Sequence, residues 1–407
     1  LGADRRLRRH GFRQVAEQGY ATAPAAERRV VEAYAEGVNA GLAALGGPPF
    51  EYLALPGAVA PWTPVDSYLV LLAMFVQLQG RDIQDETQLS LLYEALPEEV
   101  VDFLTPIGTE WDAPLDDLPW SRAPIPPMDV FNARRQLGSG TESGSSSPLP
   151  APQGSNCLAL AGRHTADGRA LLANDMHLPL TVPNLWYRVV LRWPESGAER
   201  RVVGVTLPGT PVVAAGSNGE VAWGLTTSQL DSLDLVRLEL DPTDSGRYRS
   251  PAGFRPFERT RERLEVAGGE AQELDVLHTI WGPVVDPDPL GRPRALRWAA
   301  YDATGLGFDA LALESARNVD DAVAVARRAG TPLQNILVAD SGGRIGWTLL
   351  GQVPARSAFD GRASRDWVAE GLEWQGWLTA EQGAAIVDTP SGPLWAAKNP
   401  PPRGGAL

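Results

Sequence analysis

The sequence predicts an α+β protein in which a helical region precedes a β-rich region. Two observations carry this prediction. Apolar residues recur at helical spacing before residue 136, and short apolar runs broken by Gly, Pro, Asn and Asp follow Ser155. A segment rich in Pro, Ser and Gly lies between the two patterns. We therefore divide the chain into a helical region (1–135), a spacer (136–154) and a β-rich region (155–407).

The helical region contains one clear amphipathic helix, whose apolar residues are Val30, Tyr34, Val38, Leu42 and Leu45. The glycines and prolines at 46–49 end this helix. A turn at 62–67 opens a more apolar helix from Tyr68, and an amphipathic run from Glu86 to Leu96 ends at a proline.

The spacer reads GSGTESGSSSPLPAPQG over residues 138–154. So few apolar residues cannot offset the entropy lost on ordering, which predicts a mobile linker. After Ser155, strands are predicted at 170–172, 186–193, 201–207, 212–214, 221–223 and 235–240, and one helix at 319–329.

Composition narrows the classes of function. With 407 residues, 43% of them apolar, the chain can bury a substantial core. The net charge of −14 repels phosphate backbones and anionic lipid, so neither nucleic acid nor a membrane is a predicted partner. No run reaches the roughly 18 apolar residues of a spanning helix. The single cysteine, Cys157, excludes an internal disulfide and a thiolate zinc site. Because the sequence begins at Leu1 rather than Met, we expect a piece of a longer protein.

Sequence motifs of several enzyme classes do not occur in the chain. There is no G-x-S-x-G elbow, H-E-x-x-H, P-loop or S-x-x-K. Ser155 offers a different chemistry, because cleavage of the Gly154–Ser155 bond would make it a new N-terminus. Its hydroxyl and its own α-amine would then supply nucleophile and base on one residue. The amine suits this task, since its ordinary pKa of about 7.7–8.0 is close to that wanted in a general base.

A series of motifs in fixed order makes the chain resemble the penicillin acylase family of N-terminal nucleophile hydrolases. In the helical region these motifs are YAEGVNA (34–40) and PWTP (61–64). In the β-rich region they are GSN (154–156), LLANDMHL (171–178), LPG (207–209), VAWGLT (221–226), GPVV (282–285), QN (334–335), AD (339–340), EWQG (373–376) and PSG (390–392) before Asn399.

The resemblance implies an αββα sandwich and assigns roles to individual residues. Ser155 is the nucleophile released by self-cleavage after Gly154. His177 positions the amine of that nucleophile. The backbone N–H of Thr227 and the side-chain amide of Asn399 form the oxyanion hole. Leu178 and Leu225 bind the acyl group, with Leu178 favouring aliphatic chains; Met74, Phe75 and Leu78 are further candidates for that pocket, although core positions suit them better.

The resemblance also implies a metal, partners and a location. Glu86, Asp231, Asp234 and the carbonyl of Leu233 would bind a structural calcium ion, since hard oxygen ligands suit Ca²⁺; no cofactor is expected for catalysis. The substrate would be a small linear amide between an apolar acyl group and an amine-bearing nucleus. The two processed chains would form a heterodimer, in the periplasm or outside the cell.

Two alternatives remain open at this point. One is a non-catalytic two-domain binding protein in which Ser155 is an inert linker residue. The other is a serine or metal-dependent hydrolase with a different nucleophile, which would need His177 or His278 as base or ligand.

Overall fold

The computed structural model describes residues 1–53, 59–106, 123–132, 155–178, 181–195, 197–228, 230–357, 359–378, 385–387 and 394–397. The predicted spacer lies outside these residues. None of the described helices is long and apolar enough to cross a membrane.

Among the described residues, six helices lie in the first region and two short ones lie in the second. They are α1 (Gly2–Arg8), α2 (Phe12–Thr22), α3 (Ala25–Ala44), α4 (Pro64–Gln79), α5 (Asp82–Ala95), α6 (Glu98–Leu104), α7 (Val319–Ala326) and α8 (Trp367–Glu370). The predicted amphipathic helix is confirmed as α3. The predicted apolar helix begins one turn earlier than expected, because Thr63 and Asp66 form a capping box around Pro64. The helix predicted at 319–329 ends at Ala326, before Gly330, which lies against the backbone of Gly305.

The second region contains twenty described strands. They are β1 (Ser155–Leu160), β2 (Leu171–Met176), β3 (Tyr187–Glu195), β4 (Ala198–Thr206), β5 (Val213–Ser217), β6 (Val221–Thr227), β7 (Leu233–Arg237), β8 (Leu240–Asp241), β9 (Asp244–Ser250), β10 (Gly253–Pro256), β11 (Glu258–Leu264), β12 (Gln272–His278), β13 (Val284–Val285), β14 (Arg294–Trp298), β15 (Gln334–Asp340), β16 (Ile345–Leu350), β17 (Pro354–Arg356), β18 (Trp374–Trp377), β19 (Ala385–Val387) and β20 (Leu394–Ala397). The strand predicted at 170–172 extends as far as Met176.

Two sheets lie face to face around the start of the β-rich region. The larger has seven strands in the order β19-β16-β15-β6-β5-β4-β3, and the smaller has the order β2-β1-β20. Cys157 and Ala159 of β1 pack against Leu337 and Ala339 of β15 between the sheets. On its other face the large sheet packs against α7 through a core that includes Trp223. The described layers are therefore helix, sheet and sheet.

Gly224 sets how closely the two sheets approach each other. A Cβ atom at this position would lie 2.7 Å from Sγ of Cys157 and 2.9 Å from Cβ of Asn174. These distances are too short for real atoms, so any side chain here would push the small sheet away from β6.

We expect Gly224→Ala to lower the free energy of unfolding by about 1–3 kcal/mol, because overpacking forces strand shifts in a dense core. Chemical denaturation measures this loss. Gly41→Ala is the matched control, since Gly41 lies in α3 with open space around it. That change should add about 0.5–1 kcal/mol, the usual gain for Ala over Gly in a helix. Equal midpoints for the two variants would contradict this account of Gly224.

The helical region and the β-rich region share a core. Tyr68, Leu72 and Phe75 of α4 pack in one cluster with Leu233 and Trp298, which belong to the sheet β13-β14-β7. Polar contacts reinforce it, since Nε1 of Trp298 donates to Oε1 of Gln79 at 2.9 Å. The first region thus packs against the second over a buried apolar surface.

Two side chains of the YAEGVNA motif hold backbone segments in place through hydrogen bonds. The side chain of Asn39 makes two hydrogen bonds with the backbone of Trp62, accepting from its N–H at 2.8 Å and donating to its carbonyl at 2.9 Å. The hydroxyl of Tyr34 accepts a hydrogen bond from the N–H of Gly209 at 2.9 Å. Gly209 has φ of 94°, and a Cβ there would lie 2.7 Å from Val70. The helical region therefore fixes the loop at 207–210.

Candidate active site

Ser155 opens the first strand of the small sheet. Only 7% of its surface is exposed, and its Oγ accepts a hydrogen bond from the backbone N–H of His177 at 3.3 Å. The antiparallel register places Ser155 opposite Met176, the last residue of β2, so the N–H of the residue that follows the strand, His177, reaches the hydroxyl. This contact holds Oγ at the end of the sheet.

The ring of His177 makes a different contact from the one expected. Its Nε2 lies 2.5 Å from Oδ2 of Asp175, and both side chains are largely exposed. The described contact between His177 and Ser155 therefore runs through the backbone, and the role predicted for the imidazole stays a prediction.

Asn174 joins the strand of Ser155 to the strand of Thr227. Its Nδ2 donates to the carbonyl of Asn156 at 3.0 Å and to that of Leu225 at 2.9 Å. Its Oδ1 accepts from the N–H of Leu225 at 3.1 Å. The amide thus bonds to both backbone groups of Leu225, as a neighbouring strand would. Gly224 leaves the space for it.

Thr227 is the last residue of β6 and lies opposite Gln334 of β15. It is buried, with 8% of its surface exposed. Asn399 and Gly154 lie outside the described residues. The strand before Asn399, β20, is described as far as Ala397, which pairs with Asn156.

An apolar cavity with a volume of about 110 Å³ opens beside Ser155. Ser155, Thr227, Leu178 and Leu225 all line it, so the structure brings the predicted nucleophile, N–H donor and acyl-binding residues to one place. The helical region adds Leu71, Met74 and Leu78 to the lining. Phe75, by contrast, lies in the core shared by the two regions.

Two other groups that could act as nucleophile or base are placed unfavourably. Burial raises the pKa of Cys157 to about 12, which keeps its thiol neutral. His278 lies at the end of β12 with its Nε2 2.9 Å from the hydroxyl of Thr260, and the cavity lining does not include it. Neither residue offers a better nucleophilic centre than Ser155.

Three of the four predicted calcium ligands, Asp231, Leu233 and Asp234, contact an arginine. The guanidinium of Arg356 contacts Oδ2 of Asp234 at 3.0 Å and Oδ1 of Asp231 at 3.2 Å. It also donates to the carbonyls of Asp231 and Leu233, at 3.1 and 3.3 Å. Carboxylate and carbonyl oxygens are ligands that calcium prefers. Here, however, those of Asp231, Leu233 and Asp234 contact the guanidinium of Arg356, so their arrangement does not fit a calcium ion. Among the described residues, no group of three or more His, Cys, Asp or Glu is placed to hold a metal.

Glu86 completes this cluster from the helical region. Its Oε1 accepts from the N–H of Leu235 at 2.9 Å, and its side chain is buried. Burial, together with the nearby charges of Asp234 and Asp231, raises the pKa of Glu86 well above its usual value. Burial also raises the pKa of Asp234, and Arg356 opposes that rise.

Sequence reasoning missed two residues of this region. Asn174 stands inside the LLANDMHL motif, but it is 51 positions from Leu225, and local spacing says nothing about such a pair. Arg356 carries no motif at all. Only the accumulation of carboxylates at Asp231 and Asp234 could have suggested that a buried cation was needed.

Two sheets pack face to face, a helix covers the large sheet, and Ser155 is the first residue of a strand in the small one. This is the α+β fold class of the N-terminal nucleophile hydrolases. A family model described as penicillin amidase matches residues 1–406. The chain therefore belongs to the penicillin amidase family, as its motifs predicted.

Individual relatives agree with this assignment. The chain is 29% identical over 406 residues to the penicillin acylase 2 proenzyme of Pseudomonas sp. (strain SE83), covering 98% of this chain and 51% of that protein. It is 29% identical over 426 residues to the acyl-homoserine lactone acylase QuiP of Pseudomonas aeruginosa, covering 93% and 48%. The structure is similar to a thermostable penicillin G acylase from Alcaligenes faecalis, with a TM-score of 0.53 and 26% identity over 60% of this chain and 44% of that one. The chain spans about half the length of the curated relatives it matches.

Proposed function

We propose that this chain forms the catalytic part of an amide hydrolase that removes an apolar acyl group from an amine. One observation carries the proposal: Ser155, buried at the start of β1, lines an apolar cavity together with Thr227, Leu178 and Leu225. A nucleophile beside a pocket that is apolar except for a few convergent polar groups is the usual arrangement of an acyl-transfer site.

The proposed reaction starts once Ser155 is the N-terminus of its chain. Its α-amine takes the proton of Oγ through a water molecule, and Oγ forms a bond to the carbonyl carbon of the amide. The carbonyl electron pair moves onto oxygen, where the N–H of Thr227 and the amide of Asn399 stabilise the negative charge. The intermediate collapses, the C–N bond breaks, and the leaving amine takes the proton. Water then hydrolyses the ester on Ser155, which frees the acid.

His177 contributes to this scheme through its backbone N–H. This N–H lies 3.3 Å from Oγ of Ser155 and donates a hydrogen bond to it. The bond fixes the position of Oγ before it attacks, so less orientational freedom is lost on reaching the transition state. The imidazole has a second, separate proposed role in positioning the α-amine, which the resemblance supports.

The free α-amine requires that the chain be cut between Gly154 and Ser155. We propose that Oγ of Ser155 attacks the carbonyl carbon of Gly154, that the C–N bond between the two residues breaks as the nitrogen of Ser155 takes the proton, and that water hydrolyses the resulting ester. The two chains then stay together as a heterodimer in the periplasm or outside the cell. The core shared by α4 and the sheet β13-β14-β7 supports the heterodimer. The word proenzyme in the name of one relative supports the cut.

The substrate is proposed only as a class: an aliphatic acyl group on an amine-bearing nucleus. The cavity lining supports an apolar acyl group, and the relatives named above act, by their names, on penicillins or acyl-homoserine lactones. Calcium is not part of this proposal, because Arg356 contacts the oxygens that were predicted to bind it.

Intact-mass spectrometry with N-terminal sequencing tests the proposed function. The protein is expressed with any flanking sequence that its gene encodes, and we expect two pieces, the second beginning Ser-Asn-Cys. Hydrolysis of N-acyl amines should accompany the cut. A protein that stays whole and releases no acid from amides would overturn the proposal and favour a non-catalytic binding protein.

We expect Leu178→Ala to weaken the hydrolysis of long acyl groups selectively. The cavity loses apolar contacts, so kcat/KM for an acyl chain of medium length should fall roughly 10-fold, while an acetyl amide should change little. A series of acyl chain lengths measures the difference. Leu158→Ala is the control, because Leu158 alternates to the outer, exposed face of the same small sheet. Equal losses for all chain lengths would remove Leu178 from the acyl pocket.

A further inference from the structure

Arg356 is a buried cation at the meeting point of three parts of the fold. Only 11% of its side chain is exposed. It lies at the end of β17 and faces Asp231 and Asp234, which stand just before and within β7. Glu86 of α5 closes the cluster from the helical region through its bond to Leu235. The group therefore connects α5, β7 and β17.

The guanidinium makes four polar contacts with the cluster. Three of its nitrogens reach two carboxylates and two carbonyls at 3.0–3.3 Å. Nε1 of Trp374 donates to the same Oδ2 of Asp234 that Arg356 contacts, and the Trp374 ring lies 5.7 Å from the guanidinium carbon. Gly361 leaves room for the pair, since a Cβ there would lie 2.6 Å from Asp231 and 2.7 Å from Nε of Arg356. The shape and the acceptors of this site therefore fit an arginine side chain.

The oxygens around Arg356 are those that a hard divalent ion would use. Two carboxylates and two carbonyls face one point, and calcium takes six to eight such oxygens. Two more acceptors lie nearby: Oε2 of Glu86 and Oδ1 of Asp234 are buried and have no hydrogen-bond partner among the described residues. Acidic groups gathered in this way need a positive charge between them to be stable when buried.

We propose that Arg356 supplies this charge from within the chain and takes the place of a metal ion. The guanidinium stays protonated at all working pH values and spreads its donors over several oxygens, whereas a metal must be captured from solution. The arginine also fixes the segment that follows Thr227, because Asp231 is four residues beyond it. The protein thus keeps a metal-type carboxylate cluster without depending on calcium.

Metal analysis and thermal unfolding test the proposal independently of catalysis. The parent protein should contain well below one calcium ion per chain by mass spectrometry, and its melting temperature should not change with EGTA or with millimolar CaCl₂. Arg356→Ala should lower the melting temperature by roughly 5 °C, because it leaves buried carboxylates unpaired. Calcium, but not magnesium, should restore at least half of that loss, since the vacated oxygens then form a site of the right kind.

Two further variants keep the test decisive. Arg356→Lys retains a charge but loses the planar fork, so we expect an intermediate melting temperature and no response to calcium. Arg263→Ala is the matched control, because Arg263 also lies within ion-pair distance of two carboxylates, Glu265 and Glu273, but all three side chains are exposed. It should melt close to the parent and ignore calcium. A parent that binds one calcium ion, or is stabilised by it, would overturn the proposal even if Arg356→Ala does not fold. An Arg356→Ala protein that melts like the parent would overturn it as well.

Discussion

Replacing Ser155 with alanine should abolish both the cut after Gly154 and the hydrolysis of amides. The group lost is the hydroxyl that lies beside the cavity, and the nearby thiol of Cys157 cannot replace it because burial keeps that thiol neutral. We expect amide hydrolysis to fall by about 10⁴-fold or more, as in other hydrolases that lose their nucleophile. Intact mass should show one uncut chain.

Ser245→Ala is the matched control for this experiment, because Ser245 is an exposed serine of β9. It should be cut and active like the parent. An uncut Ser155→Ala chain that unfolds in one cooperative transition would show that the fold is intact and the chemistry is lost. If Ser155→Ala were still cut and active, the proposed nucleophile would be wrong.

Replacing Asn174 with alanine should cost both stability and rate. The change removes the side chain that bonds to both the N–H and the carbonyl of Leu225, and it removes one hydrogen bond to the carbonyl of Asn156. Unpaired backbone groups in a half-buried position predict a loss of about 2–3 kcal/mol in the free energy of unfolding. The end of β6 would also shift, and Thr227 with it. A misplacement on this scale predicts a fall of about 100-fold in kcat with a smaller change in KM.

Comparing the loss of stability with the loss of kcat shows whether Asn174 positions the site or only stabilises the fold. Asn174→Asp keeps an acceptor for the N–H of Leu225, but its second carboxylate oxygen cannot donate to the carbonyls of Asn156 and Leu225 and repels them. We therefore expect it to be no more stable and no more active than Asn174→Ala. Asn318→Ala removes the hydrogen bond from the N–H of Asp321 that caps α7, and Asn318 does not line the cavity, so the change should lower the melting temperature but leave kcat unchanged. If Asn174→Ala lowered the melting temperature but kept the parent kcat, Asn174 would be a structural residue only.

Sequence reasoning predicted the parts of this protein that depend on local pattern. Helical spacing identified α3, and the motif order identified the family and the fold class. It also selected Ser155, Thr227, Leu178 and Leu225, which the structure gathers around one cavity. The helix and the family could be predicted because helical spacing and short motifs depend on residues that are close in sequence. The roles assigned to the four cavity residues stay predictions.

Contacts between distant segments could not be predicted in the same way. Arg356 is 122 positions from Asp234, so no spacing rule links the two, and an acidic cluster alone is equally typical of a metal site. The contact between His177 and Ser155 shows a second limit. A sequence names side chains, whereas the atom that reaches Oγ of Ser155 belongs to the backbone.

The core shared by α4 and the sheet β13-β14-β7 has a consequence for how a processed form of this protein would lose its activity. While the chain is whole, the two regions remain at a high effective concentration and can find each other again after unfolding. If the chain is cut before Ser155 and then unfolds, the two regions would separate, and each would expose its side of the apolar core that includes Tyr68 and Trp298. Refolding would then compete with aggregation in a bimolecular step, so durability would be set by the rate of unfolding rather than by an equilibrium.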